Sequence, residues 1–215
     1  MIGAGNFDVL IVATRNRGKT AEFREAFSAF GTEVRDLNDV EGAPHVEETG
    51  TTFAENALLK ARSAAEHLGL PVLADDSGLC VDALNGAPGV YSARYAGLQA
   101  SDADNNAKLL RDLAALPADR RAGLSAAPGQ PDVYGSARFV SALVLYVPGT
   151  GERLEAEGAV EGYILKTPRG AGGFGYDPLF WLPEFGRSMA ELTASEKNAI
   201  SHRGRALREL LHRLG

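Results

Sequence analysis

The sequence predicts an α/β fold with a mixed sheet, and three observations carry that prediction. An apolar run, "FDVLIVAT", passes through a tight turn into an amphipathic segment, "TAEFREAFSAFG". A capped helical segment from Thr52 to Gly69 delivers the chain into a second apolar run within "LPVLADDSGL". Two further strand-like runs, "ARFVSALVLYV" and the stretch near Leu154 to Ile164, follow each other later in the chain. Strands and helices in this mixed order belong to α/β packing around a mixed sheet.

Each element has a local reason. In the first helix Phe23, Phe27 and Phe30 recur at i, i+4 and i+7, and Gly31 supplies the stop. The second helix opens with a capping box, Thr52 and Glu55, runs through Ala57, Ala61, Ala64 and Leu68, and stops at Gly69 before Pro71. In the strand that follows, Val72, Leu73 and Ala74 form a short apolar run, and Asp75, Asp76, Ser77 and Gly78 read as a chain leaving a sheet. Two carboxylates at a strand end mean a turn or else a metal. Ser101 and Asp104 repeat the helix-start signal ahead of Leu109, Leu110 and Leu113. Pro117 to Ser136, rich in Pro, Gly, Ala and Arg, reads as a mobile surface excursion. The glycine-rich "RGAGGFGYDPLFW" comes after the last long strand, and a helix over Ala206 to Leu214 closes the chain.

With 215 residues the chain is long enough for one domain with a large core, taken as residues 1–215. Apolar content of 45 % and charged content of 23 % exclude disordered and fibrous classes. The longest apolar runs fall short of the ~20 residues of a membrane span, and Met1 to Asp8 lacks the features of a signal peptide, so the expected compartment is the cytoplasm. Cys80, the only cysteine, lies between Leu79 and Val81 and reads as a buried small hydrophobe. A net charge of -6 argues against broad electrostatic binding to nucleic acid, so contacts to an anionic ligand must be focused on individual cations.

The turn "ATRNRGKT" offers the first focus. A strand-to-helix turn aims backbone N–H groups and the positive end of a helix dipole at one point, and Lys19 adds a full charge there. Gly18, Lys19 and Thr20 fit the end of a P-loop, yet Ala13 stands where its first glycine is required. The polar elements are instead Thr14, Asn16 and Lys19; the alternative is an ordinary helix start with Asn16 as its cap. Gly170, Gly172 and Gly175 match a dinucleotide fingerprint only literally, because Pro178 follows where a helix is needed. That loop reads better as a close approach carrying Phe174, Tyr176 and Asp177 toward a ligand, where an aromatic ring can stack on a base. Lys197, His202 and Arg203 form a third basic cluster, and Glu47 and Glu48 precede the second helix.

Taken together, Thr14-x-Asn16-x-x-Lys19, "EETG", "TFAENALLKA", "LADDSGL", "GAPGVYSARYAG", "GGFGYDP" and "SEKNAISHRG" resemble, in order, the motifs of the inosine/xanthosine triphosphate pyrophosphatases, which remove noncanonical purine nucleoside triphosphates. The resemblance implies an elongated mixed sheet flanked by helices, with two lobes around a central cleft, and a homodimer. It implies hydrolysis of dITP, ITP or XTP between the α- and β-phosphates, giving a monophosphate and pyrophosphate. Thr14, Arg15, Asn16, Arg17, Gly18 and Lys19 would hold the triphosphate, with Lys60 as a further phosphate partner. Glu47 and Asp76 would bind Mg2+, with Asp75 close by, and Asp76 is also the candidate general base. Phe174 would stack on the purine, Ser77, Gly175, Tyr176 and Asp177 would line its pocket, and Lys197, His202 and Arg203 would meet the base. A donor from His202 or Arg203 would favour a 6-oxo purine over adenine. A P-loop-like NTPase releasing orthophosphate and a binding module without catalysis are the competing readings.

Overall fold

The structure, a computed structural model, describes residues 7–44, 46–117 and 131–215. Most of the expected excursion over Pro117 to Ser136, and most of Met1 to Asp8, lies outside the described residues. The described strands are β1 (Val9–Val12), β2 (Glu33–Asp36), β3 (Val72–Val81), β4 (Val133–Tyr146), β5 (Arg153–Leu165), β6 (Phe180–Leu182) and β7 (Arg187–Ser188). They form one open sheet in the order β2-β1-β3-β4-β5-β6-β7. The sheet is mixed: β1 runs parallel to β2 and β3, whereas β6 is antiparallel to β5 and β7. The helices are α1 (Arg17–Phe27), α2 (Phe53–Leu68), α3 (Asp102–Ala115), α4 (Ala194–Ile200) and α5 (His202–Leu214).

The helix signals translate directly into geometry. Asn16 caps α1, its side chain accepting from the backbone N–H groups of Gly18 and Lys19. The helix tightens into a 3-10 turn over Ser28–Phe30 before Gly31 takes a left-handed φ of 68°. Both halves of the Thr52–Glu55 capping box form at the start of α2, and Gly69 ends it at φ 66°. Ser101 and Asp104 form the same box at α3. At the end of the chain α5 begins at His202, four residues before the expected start, after a short polar helix, α4, that the sequence pattern does not set apart.

The described residues pack as two compact units. The first comprises Met1–Asp76, Ser141–Gly158 and His202–Gly215. Here the period-2 alternation of the strands sorts side chains into two layers. Leu10 and Val12 of β1, Leu73 of β3, and Leu143 and Leu145 of β4 pack with Phe23 and Phe27 of α1 and Ala206, Leu207 and Leu210 of α5. Their neighbours Ile11, Ala13, Val72, Ala74 and Val144 pack instead with Ala57, Ala61, Ala64 and Ala65 of α2. The alanine face of α2 lets that helix lie close to the sheet. On the other layer β5 approaches the start of α5 so closely that a Cβ on Gly158 would collide with the His202 carbonyl oxygen. Full burial of Phe23 contributes about 1.5–3 kcal/mol.

The second unit comprises Ser77–Val140 and Ala159–Ser201. Its core joins Leu79 and Val81 of β3, Ala137 and Phe139 of β4, Val160 and Ile164 of β5, and Leu109 and Leu113 of α3. Tyr176, Leu179 and Phe180 complete it, with the Phe139 and Phe180 rings 4.5 Å apart.

One expectation is corrected at β3. The strand does not end at the carboxylates; it continues through Asp75, Asp76, Ser77 and Gly78 to Val81. The turn-like composition of "DDSG" is overridden because both aspartates find buried partners on the layers they face, which an isolated strand could not supply.

Candidate active site

Adjacent residues of a strand point to opposite faces, so Asp75 and Asp76 enter different layers of the first unit. Asp75, 3 % exposed, follows Leu73 into the α1 and α5 layer. There its Oδ2 receives Arg203 through Nε at 3.2 Å and Nη2 at 3.0 Å, and lies 2.6 Å from the Lys19 ammonium. Its Oδ1 accepts from the Ser141 hydroxyl at 2.7 Å. Arg203 is balanced in turn by Glu22, 2.6 Å from Nη1. Burial pushes the Asp75 carboxyl up, but Arg203 and Lys19 outweigh it and hold the group well below the usual carboxylate range.

Asp76 faces the α2 layer. Its Oδ1 accepts from the Lys60 ammonium at 2.7 Å and its Oδ2 from the Asn56 amide at 3.3 Å. Lys60 also donates to Glu48 at 3.0 Å and to the Asp75 carbonyl at 2.9 Å. Asn56 and Lys60 are one helical turn apart, so α2 presents both to the same carboxylate. Burial raises the Asp76 pKa above its ordinary value against the pull of Lys60, and Glu48 adds to the rise. For Lys60 the desolvation is outweighed by Asp76 and Glu48, which keep its ammonium form favoured.

At the turn between β1 and α1, the backbone donors are used internally. Asn16 Oδ1 accepts from Gly18 N at 2.9 Å and Lys19 N at 3.2 Å, and Thr14 Oγ1 accepts from Asn16 N at 3.1 Å. A phosphate at this turn would therefore meet side chains and the helix dipole before it met the Gly18 and Lys19 amides. Arg15 is exposed and donates to the Leu37 carbonyl at 3.1 Å, and Arg17 is exposed at the first position of α1. Glu47 is also exposed.

In the second unit Asp177 organises a compact cluster. Its Oδ2 accepts from Lys197 at 2.7 Å and from the Phe174 backbone N–H at 2.9 Å. The Lys197 ammonium lies 4.1 Å from the centroid of the half-buried Phe174 ring. A Cβ on Gly173, at φ +73°, would collide with the Asp177 carboxylate. The close approach here is to the Asp177 side chain, at a glycine not singled out from sequence. Gly175 is tied down by donating its N–H to Asp102 at 2.7 Å and accepting at its carbonyl from Asn106 at 3.0 Å. The Tyr176 hydroxyl is buried against the Ser92 carbonyl at 2.8 Å. Ser77, half-buried, is the first residue of this unit on β3.

Arg203 is 1 % exposed and its guanidinium donates to Asp75 and Glu22. His202 belongs to the same unit and is buried at the start of α5. The residues that sequence reasoning passed over are Asn56, Glu22 and Ser141, and Glu48 was noted without a role. Asn56 sits four residues before Lys60, and Glu22 three after Lys19, so helical spacing carried a signal for both. Ser141 had none, because a small polar residue in an apolar strand has no distinctive pattern.

The donor set suits a hard cation. Lys60 stands as a positive charge between Glu48 and Asp76, so a cation bound by Asp76 would share that carboxylate with Lys60. Among the described residues no group of three or more His, Cys, Asp or Glu is placed to hold a metal ion. Mg2+ needs only one or two carboxylates when phosphate oxygens and waters complete its shell, so this sparse set fits a metal delivered with a nucleotide.

The sequence pattern of the Ham1 family matches residues 10–213. A dITP/XTP pyrophosphatase of Geobacillus kaustophilus is 51 % identical over 201 residues, 94 % of this chain and 91 % of that protein. The solved HAM1 protein of Coxiella burnetii aligns with a TM-score of 0.81 at 43 % identity, covering 96 % of this chain and 98 % of that one. A nucleoside-triphosphatase, or dITP/XTP pyrophosphatase, of Mycobacterium abscessus aligns with a TM-score of 0.71 at 46 % identity, covering 94 % and 98 %.

Proposed function

The chain belongs to the Ham1 family, and on that premise we propose that it hydrolyses noncanonical purine nucleoside triphosphates (dITP, ITP and XTP) to the monophosphate and pyrophosphate. The observation that carries this reading into chemistry is the buried Asp76, held between Lys60 and Asn56 on a rigid strand. It supplies an oriented carboxylate beside a cation, which is what a phosphoanhydride reaction requires.

In this reading Lys19 and Lys60, with Thr14, Asn16 and the start of α1, bind and orient the triphosphate, and Arg15, Arg17 and Gly18 border it. Glu47 and Asp76 hold Mg2+, the cofactor we assign. When bound, Mg2+ neutralises phosphate charge and makes the α-phosphorus more electrophilic. Asp76 orients a water for in-line attack and accepts its proton. Lys60 keeps Asp76 in place and neutralises charge that builds on the phosphates. Asp75 acts differently, holding Lys19 and Arg203 in position.

For the base, Phe174 provides the stacking face, and Asp177 and Lys197 fix that ring. Ser77, Gly175 and Tyr176 line the pocket, and His202 and Arg203 are the candidates to donate to a 6-oxo purine. We take residues 1–215 as one functional domain acting in the cytoplasm as a homodimer; the family resemblance supports this, and sedimentation at micromolar concentration tests the dimer. No described helix is long and apolar enough to cross a membrane.

Product analysis with dITP and with dATP, in Mg2+ and in EDTA, tests the function. Metal-dependent pyrophosphate and monophosphate from dITP, with little from dATP, is the expected result. Orthophosphate with a diphosphate product would transfer the case to a P-loop-like NTPase, against which Ala13 already stands.

A further inference from the structure

Asn56 is 0 % exposed, and both ends of its amide are used. Its Oδ1 accepts from the Gly50 backbone N–H at 2.8 Å, and its Nδ2 donates to Asp76 Oδ2 at 3.3 Å. The chemistry fixes the orientation of the amide, because only the carbonyl end can face an N–H and only the NH2 end can face a carboxylate. The junction is also closed sterically: a Cβ on Gly50 would lie 2.7 Å from Asn56 Oδ1 and 2.7 Å from Glu55 Cβ. Gly50 ends the short segment that carries Glu47 and Glu48, so one buried side chain ties that segment to β3 at Asp76.

We propose that Asn56 is a positioning residue for the cation site. By fixing the segment of Glu47 and Glu48 at a set distance from Asp76, it determines how tightly a divalent cation is held beside a bound nucleotide. This rests on the Mg2+ reading above. Asparagine is the side chain this position demands. Aspartate would set a second carboxylate against Asp76, and leucine, of similar shape, would leave both the Gly50 N–H and one Asp76 oxygen without their partner. Lys60 holds the other Asp76 oxygen, so loss of Asn56 releases the carboxylate to rotate about a single contact.

The test uses the full chain with Mn2+ as probe and an α,β-methylene analogue of dITP bound, the cation affinity being read from water-proton relaxation. The variants are Asn56→Leu, which removes both hydrogen bonds, and Gly50→Ala, which crowds the same junction from the other side and keeps the test alive should the first fail to fold. Ala64→Gly, in the same helix and distant from these contacts, is the control for general loosening of α2. Outer-shell partners of a metal typically govern affinity by 10- to 100-fold, so Asn56→Leu and Gly50→Ala should each weaken Mn2+ by about tenfold or more, while Ala64→Gly lowers the melting temperature and leaves Mn2+ affinity unchanged. Wild-type protein that binds Mn2+, with both junction variants within twofold of it, would overturn the inference alone. Wild-type protein that takes up no Mn2+ in the complex would overturn the Mg2+ reading itself.

Discussion

Arg203 reaches across 128 positions of the chain to Asp75 and lays two donors, Nε at 3.2 Å and Nη2 at 3.0 Å, on one carboxylate oxygen. Both groups are essentially inaccessible to water, with side-chain exposures of 1 % and 0 %. A buried pair of this kind is costly to break, because removing one charge strands the other. Asp75→Asn should destabilise the protein by about 3–5 kcal/mol, measured as the shift of a urea unfolding curve. A loss below about 1 kcal/mol would mean that water or rearrangement compensates Arg203 and Lys19.

The same network sets a pH dependence. The folded Asp75 carboxyl titrates well below the unfolded value of about 3.9. Its contribution to stability is therefore complete at pH well above 4 and is lost as pH falls through the folded pKa. Unfolding free energy should decline as the pH drops below about 4, and the decline should be shallower in Asp75→Asn. Parallel curves for the two proteins would remove Asp75 from the acid transition.

Asp76 carries the chemistry in our reading, so Asp76→Asn should lower kcat for dITP by roughly 10²–10⁴-fold, the range of general-base contributions. Binding of a nonhydrolysable analogue, read by calorimetry, should survive. Because Asp76 shares Lys60 with Glu48, the substitution leaves that ammonium with a counter-charge, and the stability loss should be smaller than for Asp75→Asn. Near-normal turnover would exclude Asp76 as base.

Phe174 is positioned by its own N–H on Asp177 and by Lys197 against its ring. Stacking of a base on an aromatic ring is worth about 1–3 kcal/mol. Phe174→Ala should accordingly raise KM for dITP by roughly 5- to 150-fold with a smaller change in kcat, in steady-state assays at saturating Mg2+. An unchanged KM would place the base elsewhere.

The helices and long strands were legible because their signals are local. Thr52 with Glu55, Ser101 with Asp104, and the stops at Gly31 and Gly69 each act within one or two turns, and no distant residue overrides them. β2 and β7, of four and two residues, were illegible, since pairing alone makes such short segments strands. α4 carried a Thr193–Glu196 capping box, but its polar seven residues lack the apolar periodicity that marks a helix. In the site, the carboxylates and lysines were readable as types, while their pairing was not. That Asp75 would meet Arg203 and Asp76 would meet Lys60 depends on the layer each faces, and the turn-like "DDSG" concealed the strand that decides it.

That strand also makes the protein intolerant of a particular kind of change. Since β3 carries Asp75 and Asp76 to opposite layers by parity alone, one residue inserted or deleted between Val72 and Asp75 would exchange them. The carboxylate bound to Arg203 would turn toward α2, and the one bound to Lys60 would turn toward α5. Both aspartates would remain in the sequence, each turned to the other's layer. Length variation at this position should therefore be more damaging than any single substitution, and indels should be confined to the loops at either end of the strand.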